Sequence, residues 1–141
     1  MTTILILHVF ATWFMTGLCV FVQLVHYPLF MYVPLKDFAK YELKNFATGF
    51  ITIPVMIVEM LTGGLLLFWD FVWVYQLNML LLLIIGLSTF LLQVPLHLSL
   101  VQVPEQAKIR RLIHSNWIRT IAWVLRSLLL AYWLFVLLSE R

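Results

Sequence analysis

The chain has 141 residues, of which 64% are hydrophobic and 11% charged, and its formal net charge is +3. Soluble domains carry about 25% charged residues, so this composition excludes a water-soluble globule of the same length, and so small a charge gives no basis for a nucleic-acid partner. A membrane-spanning helix needs roughly 20 mostly apolar residues at ~1.5 Å rise each. Four such stretches with short connections fill residues 1–141 as one membrane domain, which predicts an all-α four-helix transmembrane bundle in contact with the lipid bilayer.

The first predicted span covers about residues 4–25. No basic residue precedes it and no small-residue cleavage site follows, so it reads as a retained helix rather than a signal peptide. The single cysteine, Cys19, has no partner for an internal disulfide and reads as a small buried hydrophobe. His26, Tyr27 and Pro28 interrupt the pattern, because proline disfavours helical geometry in the residue before it.

Residues 29–48 are amphipathic. Lys36, Lys40 and Lys44 recur every four residues as one helical stripe, with Leu35, Phe38 and Phe46 away from it. A short helix lying in the headgroup region fits this pattern, and so does a solvated connecting helix. The second span, about 49–69, holds Pro54 near its start, Glu59 at its middle and the Gly63, Gly64 pair, whose small size predicts close approach of a neighbouring helix. Asp70 closes it, and Phe71 to Tyr75 form an aromatic turn of the kind found at membrane interfaces. The third span, about 77–100, carries no charge but has Gln93, Pro95 and His97 toward its end. A basic loop with Lys108, Arg110, Arg111 and His114 leads to the fourth span, about 117–138.

Four crossings put both termini on one side. The loops on the other side hold Lys36, Lys40, Lys44, Lys108, Arg110 and Arg111, against Arg141 alone on the termini side. Basic residues are retained on the cytoplasmic face, which predicts a multi-pass cell (inner) membrane protein with both termini outside.

The polar residues within the spans fall mostly in the cytoplasmic half. Gln23, His26, Gln93, His97, Asn116 and Arg119 lie there, and Glu59 and Arg126 lie about ten residues in, or ~15 Å deep. Asn116, Arg119, Trp123 and Arg126 share one helical face by their spacing, as do Gln93 with His97 and Gln23 with His26. Polar groups at that depth face a bundle interior or a wet cavity, since exposure to hydrocarbon costs several kcal/mol. A single polar chamber open to the cytoplasm is therefore expected, with His8 standing apart near the outer end. Glu59, His97 and Arg119 are the candidate catalytic residues. His26, His97, Gln93, Asn116 and Arg126 are the candidate ligand contacts, and His26 with His97 are candidate ligands for a haem iron or a mononuclear metal. Each has a structural alternative: Glu59 and Arg126 as a buried ion pair, Gln93 as an interhelical hydrogen bond, Asn116 as the cap of the fourth helix.

Two segments carry a resemblance. Val94, Pro95 and Leu100 end the third span, and Asn116, Arg119 and Thr120 open the fourth. This layout resembles the anthrone-oxygenase-like family of small four-span membrane proteins, in which a Val-Pro-x-Asn-x-x-Leu element is followed by an Asn-x-x-Arg-Thr element. His97 stands where that family usually has asparagine. Leu7 and His8, followed by Trp13 and Gly17, look faintly similar to the four-span protoporphyrinogen oxidases of bacteria. The first resemblance implies an oxidoreductase acting on a hydrophobic ring compound. The other reading of the same residues is a non-enzymatic subunit of a larger membrane complex or homo-oligomer, docked through the chain's many aromatic side chains.

Overall fold

The computed structural model describes residues 1–140. These form four helices long and apolar enough to cross a membrane: α1 (Thr2–Tyr32), α2 (Leu35–Trp69), α3 (Trp73–Gln102) and α4 (Gln106–Ser139). They pack around a square, α1 against α2 and α4, and α3 chiefly against α4. Their outward faces are apolar, with Phe10, Phe50, Phe68 and Phe90 among the most exposed side chains.

Each helix runs past the predicted bounds of its span. The chain at His26, Tyr27 and Pro28, expected to end the first helix, instead passes through a π-helical turn at Val22–His26 and a 3-10 turn at Phe30–Tyr32. Proline lacks an N–H and its ring collides with the carbonyl four residues back. A wider turn before Pro28 removes that collision without ending the helix. The same device precedes Pro95, where Thr89–Gln93 is π-helical.

The expected amphipathic segment is helical over Leu35–Asn45 and joins Gly49–Trp69 through a 3-10 turn at Phe46–Thr48. It does not float free. Phe38 and Glu42, one turn apart on the face opposite the lysines, are fully buried, and the segment packs against Val94–Gln102. The basic loop before the fourth span is largely helical, since α4 begins at Gln106 with Glu105 in the capping position. Asn116 is therefore mid-helix and caps nothing. Arg141, the basic residue expected at the termini end, lies outside the described residues.

Three buried clusters stack along the bundle. Leu5, Val9, Leu66, Val74, Tyr75 and Leu130 close the end that carries the α2–α3 turn. Met15, Cys19, Leu82, Ile85, Ala122 and Trp123 fill the middle. Tyr27, Phe30, Phe38, Leu100, Ile109 and Leu112 form the third cluster at the basic end. Of the glycine pair, Gly63 sits in a tight crossing, where an added Cβ would lie 2.6 Å from Met79 Sδ and 3.0 Å from His8 Cε1. Gly64 has nothing within 4 Å.

Candidate functional site

The polar side chains inside the bundle divide into three networks rather than one chamber. The first lies toward the termini. Glu59 and Arg126, both fully buried, pair through Oε1 and Nη1 at 3.0 Å. Thr12 donates its hydroxyl to Glu59 Oε1 at 2.8 Å, and Arg126 donates from Nε and Nη2 to Asn78 Oδ1 at 3.2 and 3.0 Å. The guanidinium also stacks 4.5 Å from the Trp123 ring centroid, an arrangement that offsets part of its desolvation. His8, expected to stand apart, belongs here: Nε2–H donates to Asn78 Oδ1 at 3.1 Å and Nδ1 meets Thr62 Oγ1 at 2.8 Å. Because Asn78 Oδ1 faces the guanidinium, it can only accept from His8, which places a hydrogen on Nε2.

In the second network, Asn116 donates to Gln23 Oε1 at 2.9 Å and Gln23 Nε2 donates to the Ile113 carbonyl at 3.2 Å. Thr120 closes it by donating to the Asn116 carbonyl at 3.1 Å. All three side chains are buried and knit α1 to α4.

The third network lines a cavity of about 780 Å³ between α2 and α3. This volume lies within the range of ligand sites, about 300–1,000 Å³. Its polar end carries His26, Tyr27, Asn45, Gln93, His97 and Arg119. The rest of its lining is largely apolar and rich in methionine, with Met15, Met56, Met60 and Met79, a side chain that adapts to irregular shapes. Ile53, Ile57, Leu83 and Phe90 also line it and are exposed, so the cavity opens sideways between the two helices.

Glu42, Asn45, His97 and Tyr27 organise the polar end. His97 Nδ1–H donates to Glu42 Oε1, which leaves Nε2 as the acceptor for the Tyr27 hydroxyl at 2.9 Å. A carboxylate that fixes an imidazole's tautomer and leaves its other nitrogen facing a hydroxyl is the arrangement of an oriented general base. His26 Nε2 bonds Asn45 Oδ1 at 2.9 Å, and Asn45 Nδ2 donates onward to Glu42 Oε1 at 3.4 Å. Both histidines are therefore held by the short helix that connects α1 to the apolar part of α2. Arg119 flanks the Tyr27 hydroxyl, and Gln93 donates to Ser115 Oγ at 3.1 Å.

Of the candidate residues, the fold brings His26, Gln93, His97 and Arg119 to the cavity wall, and holds Glu59, Asn116 and Arg126 in the two networks that do not line it. Glu59 is sealed against Arg126 and has no route to a ligand in the cavity. The pairing of Gln23 with His26 on one face fails because the π-turn rotates them apart, Gln23 toward α4 and His26 toward Asn45. Gln93 and His97 diverge likewise after the second π-turn. The donor set also does not fit a metal or a haem iron. Both ring nitrogens of His97 are engaged, and among the described residues no three histidine, cysteine, aspartate or glutamate side chains form a metal-binding group. Sequence reading missed Glu42, Asn45 and Tyr27. The Phe38–Glu42 spacing, opposite the lysine stripe, was the signal that pointed inward.

Family models, curated proteins and solved structures were compared with the chain, and none of them matches it.

Proposed function

We propose that the chain is a multi-pass membrane protein whose lateral cavity admits a lipid-soluble ring compound and presents it to His97 as general base. Both termini lie outside and the basic end faces the cytoplasm, by the excess of lysine and arginine at that end. The observation that carries the reading is the Glu42–His97–Tyr27 chain at the polar end of an otherwise apolar cavity. A ligand dissolved in the bilayer enters between Ile57 and Leu83 without crossing water, and its polar edge meets Tyr27, His97 and Arg119. Glu42, hydrogen-bonded to Nδ1 of His97, lies beside the imidazolium that forms when the ligand surrenders its proton.

The resemblance to anthrone-oxygenase-like proteins supplies the rest of the proposal. A ring methylene conjugated through its arenes with a carbonyl loses a proton to the Tyr27 oxygen as the Tyr27 proton passes to Nε2 of His97, and dissolved dioxygen oxidises the resulting anion. Dioxygen supplies the new carbonyl oxygen, and water carries off the other oxygen with the two hydrogens. Arg119 steadies the charge on the ring oxygen while the proton is away.

Oxygen uptake by the full chain in lipid nanodiscs, with anthrone as the probe, tests this. Uptake above that of empty nanodiscs is expected, with anthraquinone as product, and His97→Ala should reduce it by about 10²–10⁴-fold. Unchanged turnover in His97→Ala would remove the base from the mechanism. Absence of turnover together with a stoichiometric protein partner in gentle extracts would favour the non-enzymatic subunit.

A further inference from the structure

The polar end of the cavity holds a cation with no acid in contact with it among the described residues. Arg119 is the one cavity-lining residue that α4 supplies among the described residues, and its Nε has no hydrogen-bond partner. Among the described residues no carboxylate lies within ion-pairing distance of it. The acid of this network, Glu42, is engaged by His97. Arg126, on the same helix two turns away, shows the contrast: it is paired, stacked and sealed. A guanidinium left half-buried at the end of a greasy cavity favours an anionic oxygen, and its planar fork matches a carboxylate.

We propose that the cavity binds a carboxylic acid with an apolar ring body, seated as the carboxylate on Arg119. The proposal rests on the reading of the cavity as a ligand site and adds a second ligand class: an acid so seated occupies Arg119 and the base, and competes with the ring compound that reacts. Entry from hydrocarbon requires the neutral acid, since a bare carboxylate is costly there. At the site the acid O–H bond breaks and its proton joins the Tyr27 oxygen, while the Tyr27 proton passes to Nε2 of His97. One O–H is lost, one N–H forms, and no electron changes hands. The result is two ion pairs side by side, carboxylate with Arg119 and His97 imidazolium with Glu42. Glu42 supplies the countercharge for the His97 imidazolium that the transferred proton creates.

The test compares 9-anthracenecarboxylic acid with 9-anthracenemethanol, which share a ring system and differ in the ionisable group. Fluorescence binding to the full chain in phosphatidylcholine nanodiscs gives the acid-to-alcohol affinity ratio. A hydrogen bond to a charged group predicts a ratio of about ten or more. Arg119→Gln should bring that ratio to about one, and Arg119→Lys should recover part of it. Calorimetry in two buffers of different ionisation enthalpy should find about one proton taken up per bound acid at neutral pH, and Glu42→Gln should abolish that uptake. Equal binding of acid and alcohol by the unaltered chain would overturn the carboxylate seat and leave the ligand cavity standing. Failure of both probes to bind a chain that still melts cooperatively would overturn both. An Arg119→Gln chain that keeps the acid preference, or that melts at much lower temperature, would show that Arg119 serves the bundle instead.

Discussion

Glu42 accepts a hydrogen bond from His97 although it sits on a helix whose other face carries Lys36, Lys40 and Lys44. The acid turns inward to an imidazole on α3 while the lysines stay at the surface, so the connecting helix is a working part of the bundle. Glu42→Ala would strand the His97 Nδ1–H in a largely buried place, at a cost of about 1–3 kcal/mol. Glu42→Gln keeps an acceptor oxygen and should cost less. Thermal unfolding of the two variants in the same detergent compares them; if alanine proved as stable as glutamine, the bond would carry no stability.

The Glu59–Arg126 pair tests a different relationship. Removing one partner leaves an uncompensated charge, at about 3–5 kcal/mol, whereas removing both spares that cost. Glu59→Gln combined with Arg126→Gln is expected to melt above at least one of the single variants. Because neither residue lines the cavity, the double variant should also bind the anthracene probes with unaltered affinity. Loss of binding in a well-folded double variant would join this network to the site.

Gly63 and Gly64 form an internal control. A methyl group at Gly63 meets Met79 and His8 within contact distance, whereas Gly64 faces open space. Gly63→Ala should destabilise by about 1–3 kcal/mol, the usual cost of overpacking, and Gly64→Ala should leave the melting temperature unchanged. Equal effects would contradict the crossing geometry.

Orientation is checked with single cysteines in a Cys19→Ser background. A membrane-impermeant maleimide added to intact cells should label a cysteine placed at Thr3 and spare cysteines placed at Lys40 or Arg110. The reverse pattern would invert the topology drawn from the basic residues.

The bundle was legible in the sequence because each span carries a long apolar run, and Gly49–Trp69 matches its expected bounds to the residue. Helix ends were less legible, since apolar character stops at the edge of a span while helix continues through Gln106 and Lys108. The site was half legible. Depth grouped six residues, of which His26, Gln93, His97 and Arg119 line the cavity while Gln23 and Asn116 pair elsewhere, and assigning faces by a constant 3.6-residue period failed across the two π-turns. Each such turn holds one residue more than an α-turn, which rotates everything beyond it by about 100° against that period. Glu42 was hidden for another reason: the lysines around it marked the whole segment as surface.

The α2–α3 turn has a mechanical consequence. The two helices are joined through Asp70–Val72 at one end, and the cavity separates them toward the other, so they form a two-pronged fork with its handle at the termini side. The 21-residue stretch Gly49–Trp69 is one prong, ~30 Å long, and a swing of about 5° at the handle shifts its tip by ~3 Å. Asn45 and Glu42 lie just beyond that tip, gripping both histidines, so a bulky guest that wedges the prongs apart would loosen that grip in the same stroke.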